Sequence, residues 1–377
     1  METKVEQKLE GKGGLEEVIA AESAICLLDG KRGILGYRGY SIQDLAEHAS
    51  FEEVAYLLWF KKLPTQKELG DFKKNILLQG KLSQKTVALL KSAPADANPM
   101  AVLRTAISAL ALDDPLADDM SREANIAKAT RLLAQVTSIT AAWARMRAGE
   151  EMLPPKEGLG LAGNFLFMLT GKKPSPEHER IFDISLTLHA DHEFNASTFA
   201  SRVTVSTLSD VYSGITSGIG TLKGPLHGGA NREAIVMMRG IASKKVDVKE
   251  HVRGMLQRKE RIMGIGHRVY KLKDPRAYIL EDFAKKVANP ALYRVAKDIE
   301  EVMAKERNLY PNVDFFSGMV YEALGIKDEL FTLLFAMSRT AGWLAHMMEQ
   351  LENNRLIRPL AAYTGDIDKA YVPVSKR

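Results

Sequence analysis

The chain has 377 residues, 46% of them apolar and 26% charged, with 52 Lys and Arg against 47 Asp and Glu. This is an ordinary globular composition, long enough for two or three domains and a large core. The single Cys26 excludes an intramolecular disulfide and a multi-cysteine zinc site, and no run of 18 apolar residues marks a membrane span.

The start, METKVEQKLEGKGG, is polar and lacks the apolar stretch of a signal peptide, so a reducing, cytoplasmic setting is expected. AICLLDGKRGILGYRG predicts a hairpin turning at Asp29-Gly30. SFEEVAYLLWF and TQKELGDF each open with a capping box, Ser50 with Glu53 and Thr65 with Glu68. SPEHERIFDISLTLHA offers Ser175 as N-cap and Pro176 at the first helical position. SDVYSGITSGIGTL puts Ser213, Gly214, Ser217 and Gly218 on one side of a helix, open to close packing within the chain or against a partner subunit. DELFTLLFAMSRTAGWLAHMMEQLENN is a long helix with apolar residues three and four apart. The last residues, AAYTGDIDKAYVPVSKR, form an extended tail. Helix signals dominate, and no repeat or low-complexity linker interrupts them.

Charge is unevenly placed. Between His251 and Ala277 lie eight Lys or Arg and two acids, a local excess of +6 against +5 for the whole chain. Its centre is RIMGIGHRVYKLKDPRA. Glycines rather than aromatics flank these bases, which suits a small anion better than nucleic acid. Gly264 and Gly266 let backbone approach a ligand. Asp274 and Pro275 start a helix, with Arg276 in its first turn, a good place for a carboxylate or phosphate.

Four other stretches offer chemistry. In GPLHGGANREA, His227 precedes a helix expected to be capped by Asn231, whose positive end disfavours the imidazolium. A neutral imidazole there can donate to a developing oxyanion. In YPNVDFFSG, Asp314 is either an N-cap or a carboxyl raised by Val313, Phe315 and Phe316 into a better base. Arg339 lies in an apolar stripe with Phe335 and Trp343, and a buried guanidinium needs an anion, from the protein or from a substrate. LHADHEFNAST pairs His189 with His192, spaced for a metal but lacking a clear third ligand; a hydrogen-bonding or substrate-facing His192 is preferred, with no metal.

LHADHEFNAST, GPLHGGAN, GIGHRVYKLKDPRA, PNVDFFSG and SRTAGWLAH occur here in the order found in citrate synthases. The resemblance runs from about Gly14 to Pro373 and is to the compact dimeric form of that family. Ile265 departs mildly, standing where an aromatic or Val is expected.

The resemblance implies an all-α fold with a large helical domain, residues 1–225 and 326–377, and a smaller mobile helical domain, 226–325. It implies condensation of acetyl-CoA with oxaloacetate, with no permanently bound cofactor. Asp314 would be the base, His227 the donor to the enol oxygen, and His267 the group polarising the oxaloacetate carbonyl. His192, Arg276, Arg339 and Arg358 would bind oxaloacetate, Arg358 reaching in from the other subunit of a homodimer. Met263, Gly264, Ile265 and Gly266 would lie against the CoA adenine, with Lys271 and Lys273 towards its phosphates. 2-Methylcitrate synthase, which takes propionyl-CoA, is the nearest alternative; a metal-dependent hydrolase and a basic nucleic-acid-binding protein are more distant ones.

Overall fold

The computed structural model describes residues 14–15, 18–244 and 246–377. The polar stretch at 1–13 lies outside them. The described residues form sixteen α-helices and one small three-stranded antiparallel sheet, the all-α architecture expected.

Local chemistry sets the helix starts. Capping boxes at Ser50–Glu53 and Thr65–Glu68 open the helices Phe51–Phe60 and Gln66–Gln79. Ser175 caps Pro176–His189, and Asp274 caps Pro275–Val287. Such a cap contributes about 1 kcal/mol by satisfying N–H groups the helix leaves free.

The hairpin is present, but its turn is longer than the sequence suggested. Cys26–Asp29 pairs with Ile34–Tyr37 so that Asp29 faces Ile34. The Asp29 carboxylate accepts the N–H groups of Lys31 and Arg32, both at 3.0 Å, and this closes the wider turn.

Two long helices, Arg122–Arg147 and Phe331–Glu352, run through the core and pack on each other. Ala196–Ser206 and Val211–Leu222 pack on the second of them. The glycine face of Val211–Leu222 is filled within the chain. A Cβ on Gly214 would stand 3.0 Å from Val205 Cγ1, and one on Gly218 2.7 Å from Ser201 Oγ. Gly214 and Gly218 thus pack against side chains of their own subunit.

A second group of helices, Ala230–Ser243, Val248–Gln257, Pro275–Val287, Pro290–Arg307 and Val313–Ala323, packs chiefly on itself. It meets the first group through Ile42–His48, Pro176–His189 and Phe331–Glu352. Beyond Glu352 the chain runs extended to a short 3-10 turn at Val374–Lys376, leaving Leu360, Tyr363, Ile367 and Tyr371 exposed. No helix of the described residues is long and apolar enough to cross a membrane.

Candidate active site

The residues singled out in the sequence gather along the seam between these groups. From the second group, the loop around Gly264 and Gly266 is pinned to the segment leading into Val313–Ala323. Gly266 N–H donates to the Tyr310 carbonyl at 2.8 Å, and Asn312 N–H to the Gly264 carbonyl at 2.9 Å. The Asn312 amide donates to the Gly266 carbonyl at 2.8 Å. Both glycines have positive φ, and a Cβ on Gly264 would stand 2.9 Å from Phe315 Cα. Their conformation thus serves the chain itself, locking the segment before His267 to the segment before Asp314.

His267 follows directly. Its Nδ1 accepts the N–H groups of Val269 at 3.0 Å and Tyr270 at 3.2 Å. A nitrogen that accepts from backbone carries no proton, so the ring proton sits on Nε2. Burial, reinforced by the Arg276 guanidinium, lowers the His267 pKa to about 4, so the imidazole is neutral near pH 7.

Arg276 is buried at the first turn of Pro275–Val287. Its Nε donates to Asp274 Oδ1 at 3.0 Å and its Nη2 to Oδ2 at 2.7 Å. Burial alone would lower this guanidinium, but the Asp274 carboxylate outweighs it and the net shift is upward. One aspartate therefore caps the helix and holds the arginine charged.

Asp314 is the second residue of Val313–Ala323. Asn312 is the N-cap, its Oδ1 accepting Asp314 N–H at 2.9 Å, so the capping reading of Asp314 is corrected. Burial pushes the Asp314 carboxyl up to about 6, against the opposing pull of Arg276 and, more weakly, of Arg339.

The first group supplies the other wall. Arg339 is buried, its Nε donating to the His189 carbonyl at 2.8 Å and its guanidinium lying 4.8 Å from the Phe335 ring centre. Among the described residues no carboxylate lies within salt-bridge distance of it. His192 stacks edge-on to His267, ring centres 5.2 Å apart. Its enclosed Nε2 has no hydrogen-bond partner among the described residues. Burial first, then Arg276, His267 and Arg339, hold its pKa well below the usual histidine value. His189 is buried, its Nδ1 bonded to the Ser185 carbonyl at 2.8 Å and its Nε2 without a hydrogen-bond partner among the described residues.

His227 lies in the loop before Ala230–Ser243. Ser197 N–H donates to its Nε2 at 3.3 Å, and the Ser197 hydroxyl lies 2.8 Å from the same nitrogen. That leaves the ring proton on Nδ1. Burial, helped by Arg339, lowers its pKa to about 4. Trp343 Nε1 donates to the Ser197 hydroxyl at 3.1 Å and fixes it in turn. Nothing in the sequence marked Ser197, an ordinary serine in the first turn of Ala196–Ser206. Asn231 is not the N-cap expected; Gly229 is, and Asn231 is buried in the first turn of the helix.

Three expected residues sit elsewhere. Lys273 is buried, its ammonium held by Glu281 and by Glu300, the latter at 2.7 Å. This corrects its expected placement towards phosphate, because two carboxylates already take its charge. Lys271 is exposed. Arg358 lies exposed on the tail.

Comparison with known proteins is consistent with this geometry. The family profile described as "Citrate synthase, C-terminal domain" matches residues 14–360. Citrate synthase 2 of Bacillus subtilis is 48% identical over 370 residues, covering 97% of this chain and 98% of that protein. A 2-methylcitrate synthase of Shewanella oneidensis is 41% identical, covering 98% and 99%. The Thermoplasma acidophilum citrate synthase, solved as a ternary complex with carboxymethyl coenzyme A and oxaloacetate, superposes with a TM-score of 0.90 at 35% identity, covering 98% of this chain and all of that one.

Proposed function

This chain belongs to the citrate synthase family, and from that premise we propose that it condenses acetyl-CoA with oxaloacetate and water to give citrate and free CoA. The observation that carries this is the pairing of two buried guanidiniums, Arg276 and Arg339, with three neutral histidines and a carboxyl raised to about 6. A dicarboxylate needs two cationic clamps, and arginines suit carboxylate geometry.

Removing a proton from the thioester methyl group requires a base and stabilisation of the oxygen that gains charge. Asp314 is the base; a carboxyl raised to about 6 is a stronger acceptor than an ordinary one and is still ionised near pH 7. His227, with its proton on Nδ1, donates to the enol oxygen. His267, with its proton on Nε2, donates to the oxaloacetate carbonyl. One well-placed donor is typically worth about 3–4 kcal/mol at the transition state. Neutral imidazoles do this without repelling the neighbouring guanidiniums. The enol carbon attacks the polarised carbonyl, and water then cleaves the citryl thioester.

His192, Arg276 and Arg339 bind the oxaloacetate carboxylates, with Arg358 supplied by the second subunit of a homodimer. The exposed Leu360, Tyr363, Ile367 and Tyr371 of the tail support a partner chain there. Met263 to Gly266 lie along CoA, with Lys271 towards its phosphates. Residues 226–325 act as a smaller mobile domain closing on the rest, which the self-packing of the second helix group supports. The setting is the cytoplasm, at entry to the tricarboxylic acid cycle.

The deciding experiment is CoA thiol release with oxaloacetate, comparing acetyl-CoA with propionyl-CoA. Faster release from propionyl-CoA would move the assignment to 2-methylcitrate synthase; an extra methylene is worth about 1–3 kcal/mol of discrimination.

A further inference from the structure

One face of the helix Phe331–Glu352 grips the turn that carries His192. Arg339, Gly342 and His346 are spaced three and four apart and so share that face. Arg339 Nε donates to the His189 carbonyl at 2.8 Å. Gly342 N–H donates to the Ala190 carbonyl at 3.1 Å. His346 Nε2 donates to Asp191 Oδ2 at 3.1 Å. Three consecutive residues before His192 are thus each held by the same helix. A Cβ on Gly342 would stand 2.6 Å from Asp191 Oδ1, so a side chain there would push the two apart.

Asp191 reaches across His192 as well. Its Oδ2 accepts the Glu193 N–H at 3.3 Å, an Asx turn, and Glu193 takes φ +55. Left-handed backbone is uncommon for such a residue and persists where surrounding contacts impose it. Tyr37 OH donates to the Asp191 carbonyl at 2.9 Å from the hairpin side. Asp191 and His346 are both fully buried, and neither belongs to the group assigned to substrate above. Burial would raise the Asp191 carboxyl, but His346 and Arg339 hold it below the usual range. Its charge is therefore available to order the turn.

We infer that Asp191 and His346 are a positioning pair: the His346-held Asp191 carboxylate closes the turn that presents His192 to oxaloacetate. The inference rests on the reading of His192 as an oxaloacetate ligand. A ligand group held in place before binding spares the cost of ordering it, and small misplacements are expensive.

The test uses the full-length protein with His346→Leu, His346→Gln and Asp191→Asn, and Leu344→Ala as a control for lost packing on the same helix. KM for both substrates and kcat are measured, with oxaloacetate Kd by calorimetry and Tm for each variant. His346→Leu and Asp191→Asn raise oxaloacetate KM and Kd about tenfold or more, while acetyl-CoA KM stays within about twofold. His346→Gln restores most of the affinity, because its amide can donate to Asp191. Leu344→Ala lowers Tm and leaves oxaloacetate KM alone. Oxaloacetate affinity unchanged in Asp191→Asn, or falling in step with Tm across all four variants, overturns the pair as a positioning device. Should His346→Leu fail to fold, Asp191→Asn and His346→Gln decide it. A wild-type protein that neither binds nor consumes oxaloacetate would instead overturn the functional reading beneath it.

Discussion

The Lys271 N–H donates to the Gly30 carbonyl at 3.1 Å, tying the N-terminal hairpin to the loop that carries His267. The approach is close: a Cβ on Gly30 would stand 2.6 Å from the Val269 carbonyl carbon. Val269 and Tyr270 are also the residues whose N–H groups hold His267 Nδ1. A shift of this loop therefore reaches the imidazole directly.

Gly30→Ala forces that shift. It lowers kcat/KM about tenfold or more, the scale expected when a catalytic group is displaced by a fraction of an ångström to an ångström. Gly70→Ala is the control. Gly70 is inside the helix Gln66–Gln79, and a Cβ there meets nothing within 4 Å. It keeps the wild-type rate and gains up to about 1 kcal/mol of stability. Steady-state kinetics and thermal melts on both variants check this; a fully active Gly30→Ala would show that the contact yields freely.

Asp314→Asn nearly abolishes condensation while oxaloacetate still binds. It also changes stability with pH. The folded chain holds the Asp314 proton more tightly than the unfolded chain does, with the pKa moved from 3.8 to about 6. The associated stability is present below the unfolded value and is lost as pH rises through about 6. Ionised Asp314 thus costs stability at pH 8, and asparagine removes that cost, a gain of about 2–3 kcal/mol. At pH 4 the two proteins melt alike. In the wild type, kcat falls on the acid side through about pH 6 as the base is protonated. A variant that keeps its activity, or melts lower at pH 8, would reassign the base.

Much of this was legible in the sequence because its signals are local. Ser50, Thr65, Ser175 and Asp274 act on N–H groups two or three residues away, so spacing alone identified them. The cluster of His192, His267, Arg276, Asp314 and Arg339 came from ordered motifs rather than from any one pattern. What the sequence hid depends on contacts distant along the chain. Lys273 read as a free base because Glu281 and Glu300 meet it only once the helices Pro275–Val287 and Pro290–Arg307 pack. Asn231 had the right residue type for a cap, but the helix began two residues earlier, after Gly229. Gly30 looked like a turn residue, and its approach to Val269 spans the two helix groups.

Lys271→Ala raises the acetyl-CoA KM more than the oxaloacetate KM, and the effect shrinks as salt rises, because an exposed ammonium is screened. Lys273→Met acts differently. It leaves Glu281 and Glu300 sharing only Lys297, and it costs roughly 3 kcal/mol or more of stability, as expected when one partner of a buried ionic group is removed. Its acetyl-CoA KM, measured on folded protein, stays near wild type. Equal effects of Lys271→Ala on both substrates would remove it from the CoA surface.

The exposed Arg358 allows the proposed sharing of sites between two subunits to be tested directly. Asp314→Asn and Arg358→Ala are each expected to inactivate a homodimer, since every site then carries a lesion. If Arg358 enters the partner's site, a mixed dimer distributes the lesions unevenly. One site receives both. The other combines the intact Asp314 of the Arg358→Ala chain with the intact Arg358 of the Asp314→Asn chain. About half of the wild-type activity per dimer then returns, as expected for independent sites related by symmetry. If Arg358 serves its own chain, each site in the mixed dimer keeps one lesion and nothing returns. Co-expression with two affinity tags isolates the mixed species, and its mass and melting temperature establish that it is folded and dimeric before activity is read. A folded mixed dimer without recovered activity places Arg358 outside the partner's site.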